Sequence, residues 1–195
     1  MRSPAIVTLC LLTTSFATAQ TATLRGKVED VPGTQNQFFL DGTRLPLVST
    51  ALNLNTWLGQ QAEMQVVDVG TAAAPVLRVD AAVPIGKILD LGNLRLGQTS
   101  TFEVAAPTGS FTFLFVDFTD NGGFLPIQGA GCYLLGAAPA LLAQGFTTAP
   151  NRFQIQFTMP TDQTLLGFEI SGQAIFGTVA GGWQLSNADS KVVQP

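Results

Sequence analysis

Apolar and polar residues alternate with a period of two along most of this chain, and that pattern predicts strands. Leu24, Gly26 and Val28 alternate with Arg25, Lys27 and Glu29, the signature of a strand with one buried face. A second strand is expected at Gln37 to Leu40 and a third at Arg44 to Val48, with Asp41-Gly42 as the hairpin turn between them. Leu52, Leu54, Trp57 and Leu58 cluster instead as a short helical connector, which Gly59 ends. Glu63 to Val69 and Pro75 to Ala82 complete a set of five. Five short strands with a helical turn between the third and fourth fit a small OB-like barrel, in which closure removes exposed edges. A plain five-stranded roll is the alternative.

Val83-Pro84-Ile85-Gly86-Lys87 marks a boundary, because Pro84 interrupts strand pairing and Gly86 relaxes the chain. The expected division is a first module over 20–83 and a second over 88–195. In the second, Thr101 to Ala105 is a strand, and Phe111 to Phe118 carries apolar residues on both faces, which predicts a central, doubly buried strand. Phe153, Ile155 and Phe157 alternate with Arg152, Gln154, Gln156 and Thr158, so that strand has one solvated face. Leu165 to Phe176 and Trp183 to Asn187 follow. Seven or eight strands at this spacing predict a two-sheet antiparallel β-sandwich, and no window sustains a helical stripe over three turns. The fold class is all-β.

The start of the chain changes the picture of where this fold works. Met1 to Pro4 with Arg2, the apolar run Ala5 to Leu12, and Ala17-Thr18-Ala19 before Gln20 read as a secretory signal peptide over 1–19. The apolar run is far shorter than the ~20 residues that span a bilayer, and bulky Leu9 before Cys10 does not suit a lipidation site. Soluble export is the expectation, to the periplasm, the cell surface or beyond, with no transmembrane segment after cleavage. Of nine Lys and Arg only Arg2 would leave with the signal, against thirteen Asp and Glu, so the exported chain is acidic. Nucleic acid is not an expected partner, since phosphate binding needs clustered cations. Cleavage also leaves Cys132 as the single thiol, which excludes an intrachain disulfide.

Two resemblances bear on the modules. The opening strand L-x-G-x-V and the later Gly59 to Val66 segment resemble small exported bacterial OB-like modules. Over roughly 90–195, Asn93 to Thr99, Leu125-Pro126-Ile127, Gly131-Cys132-Tyr133-Leu134-Leu135, Pro160 to Gly167, Gln173-Ala174 and Leu185-Ser186-Asn187-Ala188 occur in order. That set resembles the uncharacterised C-terminal β-sandwich module of secreted planctomycete-type bacterial proteins. The chain departs from the pattern at Phe168 to Gln173, where that module has a more aromatic strand. The resemblance implies export and a β fold, and no activity.

Candidate chemistry is sparse. The chain has no histidine, so Ser-His-Asp and Cys-His catalysis and imidazole ligation are excluded. Cys132 lies among apolar neighbours and reads as a buried structural thiol rather than a nucleophile. Asp117, Asp120 and Asn121 bring oxygen ligands together before Gly122-Gly123 and are the candidate calcium residues; Asn121-Gly122 also makes a turn without any ion. Glu29, Glu63, Glu103 and Glu169 offer carboxylates for hydrolysis, although none sits in a distinctive motif. Trp57 and Trp183 are the candidate ligand-binding residues, by stacking on sugar rings. No cofactor is expected. Three readings follow: a non-enzymatic exported structural or interaction protein at a cell surface or envelope, a carbohydrate-binding or adhesive module, and a carboxylate-type hydrolase.

Overall fold

A computed structural model describes residues 21–34, 36–71, 74–118, 123–136 and 138–195. The expected signal segment 1–19 lies outside the described residues. Among the described residues strands account for the regular structure apart from two short turns of 3-10 helix, Leu54–Trp57 and Gln163–Leu165.

Strands β1 (Thr21–Asp30), β2 (Phe38–Leu40), β3 (Leu45–Val48), β4 (Gln61–Asp68) and β5 (Leu77–Pro84) close a barrel in the order β1-β2-β3-β5-β4. All pairings are antiparallel except β3 with β5, which makes the barrel mixed. β1 is long enough to serve two neighbours: residues 21–27 pair with β4 and residues 28–30 with β2. Gly26 sits just before that change of partner, and a Cβ there would lie 2.3 Å from Leu40 Cδ1. A larger residue there would displace the buried Leu40 side chain from its place over the strand. The 3-10 turn carries the expected connector between β3 and β4, capped by Asn53 and followed by Gly59 at φ +72°. Pro84 ends β5 rather than interrupting it, opposite Ala62.

The second half contains β6 (Leu89–Asp90), β7 (Thr99–Ala105), β8 (Phe111–Asp117), β9 (Leu125–Ile127), β10 (Gly131–Tyr133), β11 (Ala140–Phe146), β12 (Arg152–Thr158), β13 (Glu169–Thr178), β14 (Gly182–Leu185) and β15 (Asp189–Val192). Among the described residues ten strands replace the expected seven or eight, because pieces of two to four residues carry too little alternation to be read from sequence. One sheet runs β11-β8-β13-β14, with β15 also on β13; a second runs β12-β7-β6, and β9 and β10 pair as a separate two-stranded sheet. Leu89, Phe102, Val104, Leu114, Phe153, Ala174 and Phe176 fill the core between them. The Phe168 to Gln173 stretch, where the resemblance departs, enters β13, a strand paired on both sides.

One expectation is overturned. β8 is central but not doubly buried: Thr112, Leu114 and Val116 point into the core, while Phe111, Phe113 and Phe115 are only partly buried and Phe118 is 56% exposed. With both rows apolar, periodicity gives no sign of which row faces water.

The barrel core draws on the second half of the chain. Cys132, Leu134 and Ala188 are buried in the same cluster as Leu24, Leu40, Met64 and Val79. Three buried polar side chains fix the segments that make this contact. Asn187 Oδ1 accepts from the Ile88 and Leu89 amides at 3.0 and 2.9 Å, while its Nδ2 donates to the Leu89 and Ala188 carbonyls. Gln173 Oε1 accepts from the Leu134 amide, and its Nε2 donates to the Cys132 and Ser186 carbonyls. Ser186 Oγ accepts from the Ala174 amide and donates to the Asn187 carbonyl. Each group uses its donors and acceptors on backbone, as burial requires.

Candidate functional site

The predicted site residues fall in different places. Trp57 closes the 3-10 turn and packs, partly buried, against the barrel core. Asp117 is buried, and its Oδ2 accepts from the Gly136 amide at 2.7 Å; Asp120 and Asn121 lie outside the described residues. Among the described residues no group of three or more histidine, cysteine, aspartate or glutamate side chains is placed to hold a metal ion. Cys132 is buried, and burial pushes its thiol up to about 12. Trp183 is different: it is 41% exposed on β14.

Strand register explains what Trp183 joins. Phe111 on β8 stands opposite Phe146 on β11 and Gly177 on β13, and Gly177 stands opposite Trp183 on β14. These four positions form one row across the outer face of the sheet. At ~4.8 Å between strands the row spans about 14 Å. Phe113, one pleat along, stands opposite Gln144 and Ile175. The rings touch in series: Phe146 to Phe111 at 4.9 Å and edge-on, Phe111 to Phe113 at 4.9 Å, and Phe113 to Trp183 at 5.9 Å. Phe146 is 66% exposed. Leu185 stands opposite Ile175 in that second row, and none of the eight positions in the two rows is charged.

Gly177 makes the row a trough. A Cβ at that position would lie 2.1 Å from the Gly182 carbonyl oxygen and 2.9 Å from Trp183 Cα, so any larger residue would push β14 away. The gap between Phe111 and Trp183 is therefore floored by backbone. Residue spacing in sequence hides this site, because its rings come from strands far apart along the chain. The signal available in the sequence is the apolar row Phe111, Phe113 and Phe115, which by pattern alone reads as one face of a doubly buried strand.

Carboxylates are distributed as ion pairs. Arg25 Nε meets Glu63 Oε2 at 2.8 Å, Arg44 Nη2 meets Glu169 Oε2 at 2.9 Å, and Arg152 pairs with Glu103. Where the barrel meets β15, Lys27 pairs with Glu29 and Asp41, and Lys87 and Lys191 both pair with Asp189 at 3.1 Å. Desolvation, followed by the Glu29 charge, raises the Asp41 carboxyl above its usual range even though Lys27 opposes it. Desolvation pulls the Lys27 ammonium down, but Glu29 and Asp41 outweigh it and leave Lys27 raised. Asp41 and Asp189 are 6% and 1% exposed, closed away from a substrate.

No family model matches the chain, and no curated protein matches it. Among solved structures, the sporulation control protein Spo0M from Bacillus subtilis matches over 57% of this chain at 15% identity with a TM-score of 0.28. The match covers 51% of that protein, so this chain spans about half its length. A likeness of that size assigns neither family nor activity.

Proposed function

We propose that this chain is an exported, non-enzymatic binding protein of a cell surface or envelope, and that it adheres to neutral polysaccharide through the outer face of β11-β8-β13-β14. The observation that carries this reading is the open trough of Phe146, Phe111, Phe113 and Trp183. A contiguous exposed aromatic patch is uncommon on a soluble surface unless something covers it. Aromatic faces pack against the apolar C–H faces of sugar rings while the amide of Gln144 remains available to hydroxyls. An uncharged trough suits an uncharged ligand, since no ion would be desolvated on binding.

Export rests on the signal-like pattern of 1–19, and the family resemblance of the second module points the same way. The absence of histidine from the sequence and the ion-paired carboxylates favour binding over hydrolysis. The β2–β3 face of the barrel also holds an apolar groove, lined by Val31, Pro32, Phe39, Pro46 and Val48. It has no stacked rings, and the sheet face offers the larger aromatic surface.

Co-sedimentation of the purified chain with microcrystalline cellulose, chitin and insoluble β-glucan tests the proposal. Saturable binding to at least one of them is expected, reduced about tenfold or more by Trp183→Ala, since covering the exposed part of a Trp contributes about 2 kcal/mol. Binding that survives Trp183→Ala combined with Phe146→Ala, in variants shown to be folded, would remove the sheet face as the site.

A further inference from the structure

We infer that the cleft where the barrel meets the second module is a separate binding site for a small neutral polyhydroxylated ligand of monosaccharide size. The cleft encloses about 360 Å³, within the ~300–1,000 Å³ range of small-molecule sites, and is lined by Thr21, Thr23, Arg25 and Glu63 of the barrel, the turn between β9 and β10, and Gln184 of β14. Four separate stretches of chain build its walls, two from the barrel and two from the second half, so it exists only when the two halves are packed together. Ligand sites occur preferentially at such junctions.

Its polar groups are held in place before any ligand arrives. Arg25 Nε donates to Glu63 Oε2 at 2.8 Å, and Nη1 donates to the Leu185 carbonyl at 3.1 Å and to Gln184 Oε1 at 3.2 Å. The guanidinium is thus anchored to both modules. Arg25 Nη2 and Glu63 Oε1 carry no hydrogen-bond partner among the described residues, and Thr23 Oγ1, which accepts from Gln65 Nε2, keeps its own proton to donate. Spare donors and a spare carboxylate acceptor therefore stand side by side.

That combination selects the ligand class. Arg25 and Glu63 neutralise one another, so an anion would face Glu63 and a cation would face Arg25 without compensation. A zwitterion would have to separate a pair in direct contact. A hydroxyl both donates and accepts, so neighbouring hydroxyls satisfy the guanidinium edge and the carboxylate edge without breaking the pair. In the wall between β9 and β10, Gly129 at φ +77° and Gly131 at φ +114° bring backbone to the cleft beside the Ile127 and Gln128 side chains.

Titration of the ¹⁵N-labelled chain with D-glucose, D-galactose, N-acetylglucosamine, sodium acetate and glycine tests the site. At least one sugar is expected to give saturable shifts at the amides of Gly129, Ala130 and Gly131 and at the Gln184 side chain, with no saturable response there to acetate or glycine. Arg25→Lys should weaken the sugar about tenfold, because the planar fork is lost. Thr21→Trp, at an exposed position on the mouth, should block the cleft while leaving the Arg25–Glu63 pair intact, which covers the case in which Arg25→Lys fails to fold. Shifts confined to the Trp183 indole would overturn the cleft and leave the sheet-face proposal standing. Silence at the cleft for every sugar, a preference for acetate or glycine, or undiminished sugar binding by Thr21→Trp would also overturn it.

Discussion

Replacing Asn187 with alanine should remove much of the stability of the molecule, although Asn187 touches neither proposed site. The side chain is fully buried and makes four hydrogen bonds, to Ile88 N, Leu89 N, Leu89 O and Ala188 O. Truncation leaves the N–H and C=O of Leu89, itself fully buried, without the partner that the amide supplied. An orphaned buried group costs about 1–3 kcal/mol, so two of them, with some relief from entering water, give about 2–5 kcal/mol. Against a typical ~5–15 kcal/mol for a whole domain, that is a large fraction, equivalent to about 10 °C in melting temperature. Urea unfolding followed by circular dichroism reads the effect as a lower midpoint at an unchanged slope. Asn55→Ala is the control: Asn55 is exposed and its amide bonds only to Asn36 and Asn53 side chains, so its cost should stay within about 0.5 kcal/mol. Asn187→Asp sharpens the test, because a carboxylate keeps the acceptor but faces two carbonyl oxygens. It should destabilise strongly at neutral pH and recover in part in acid, where the protonated group can donate. An Asn187→Ala midpoint indistinguishable from that of Asn55→Ala would refute the assignment of Asn187 as the tie between 88–89 and the barrel-facing segment.

Other outcomes follow from single features. Cys132 should resist alkylation in the folded chain, and its raised pKa should make stability fall as pH rises from the ordinary 9.0 towards about 12. The sign follows from linkage: the unfolded thiol ionises first, so alkali draws the chain towards the unfolded state. Cys132→Ala should flatten that limb, as measured by denaturant midpoints across the alkaline range. Lys27 acts in the same direction, since a raised lysine stabilises fully below its unfolded value of 10.5 and loses that contribution as pH rises through the folded one. Lys27→Met should therefore lower stability at neutral pH and narrow the gap to wild type at high pH. Gly177→Ala should cost about 1–3 kcal/mol by overpacking against Gly182 and Trp183 and abolish polysaccharide retention, whereas Gly33→Ala, in an open turn at φ +79°, should lower stability modestly and leave retention intact.

How much of this was legible in the sequence depended on the range of the interaction involved. The barrel strands could be read because Leu24, Gly26 and Val28 alternate cleanly with charged neighbours and because Asp41-Gly42 marks its turn locally. Strand β12 was equally plain, with Phe153, Ile155 and Phe157 against arginine and glutamine. β8 was misjudged because both of its rows are apolar, and only its placement in the sheet shows that the phenylalanine row faces out. The trough was invisible for a related reason. Phe146, Phe111, Gly177 and Trp183 share a row only through the registers of three strand pairs, and no spacing along the chain encodes those. Leu185-Ser186-Asn187-Ala188 stood out as a motif, yet its role as a buried polar tie needed the positions of Leu89 and Ala174. Likewise, the apolar neighbours of Cys132 announced burial but not that it would be buried in the barrel core.

Trp183 itself offers the most direct test of the proposed sheet-face adhesion. In a Trp57→Phe background it becomes the only tryptophan, and its emission reports the solvation of the trough. With a soluble oligosaccharide of whichever polysaccharide retains the chain, emission should shift to the blue in a saturable way, at the same midpoint as calorimetric binding. Binding by calorimetry with unchanged Trp183 emission would place the ligand elsewhere and contradict the proposal.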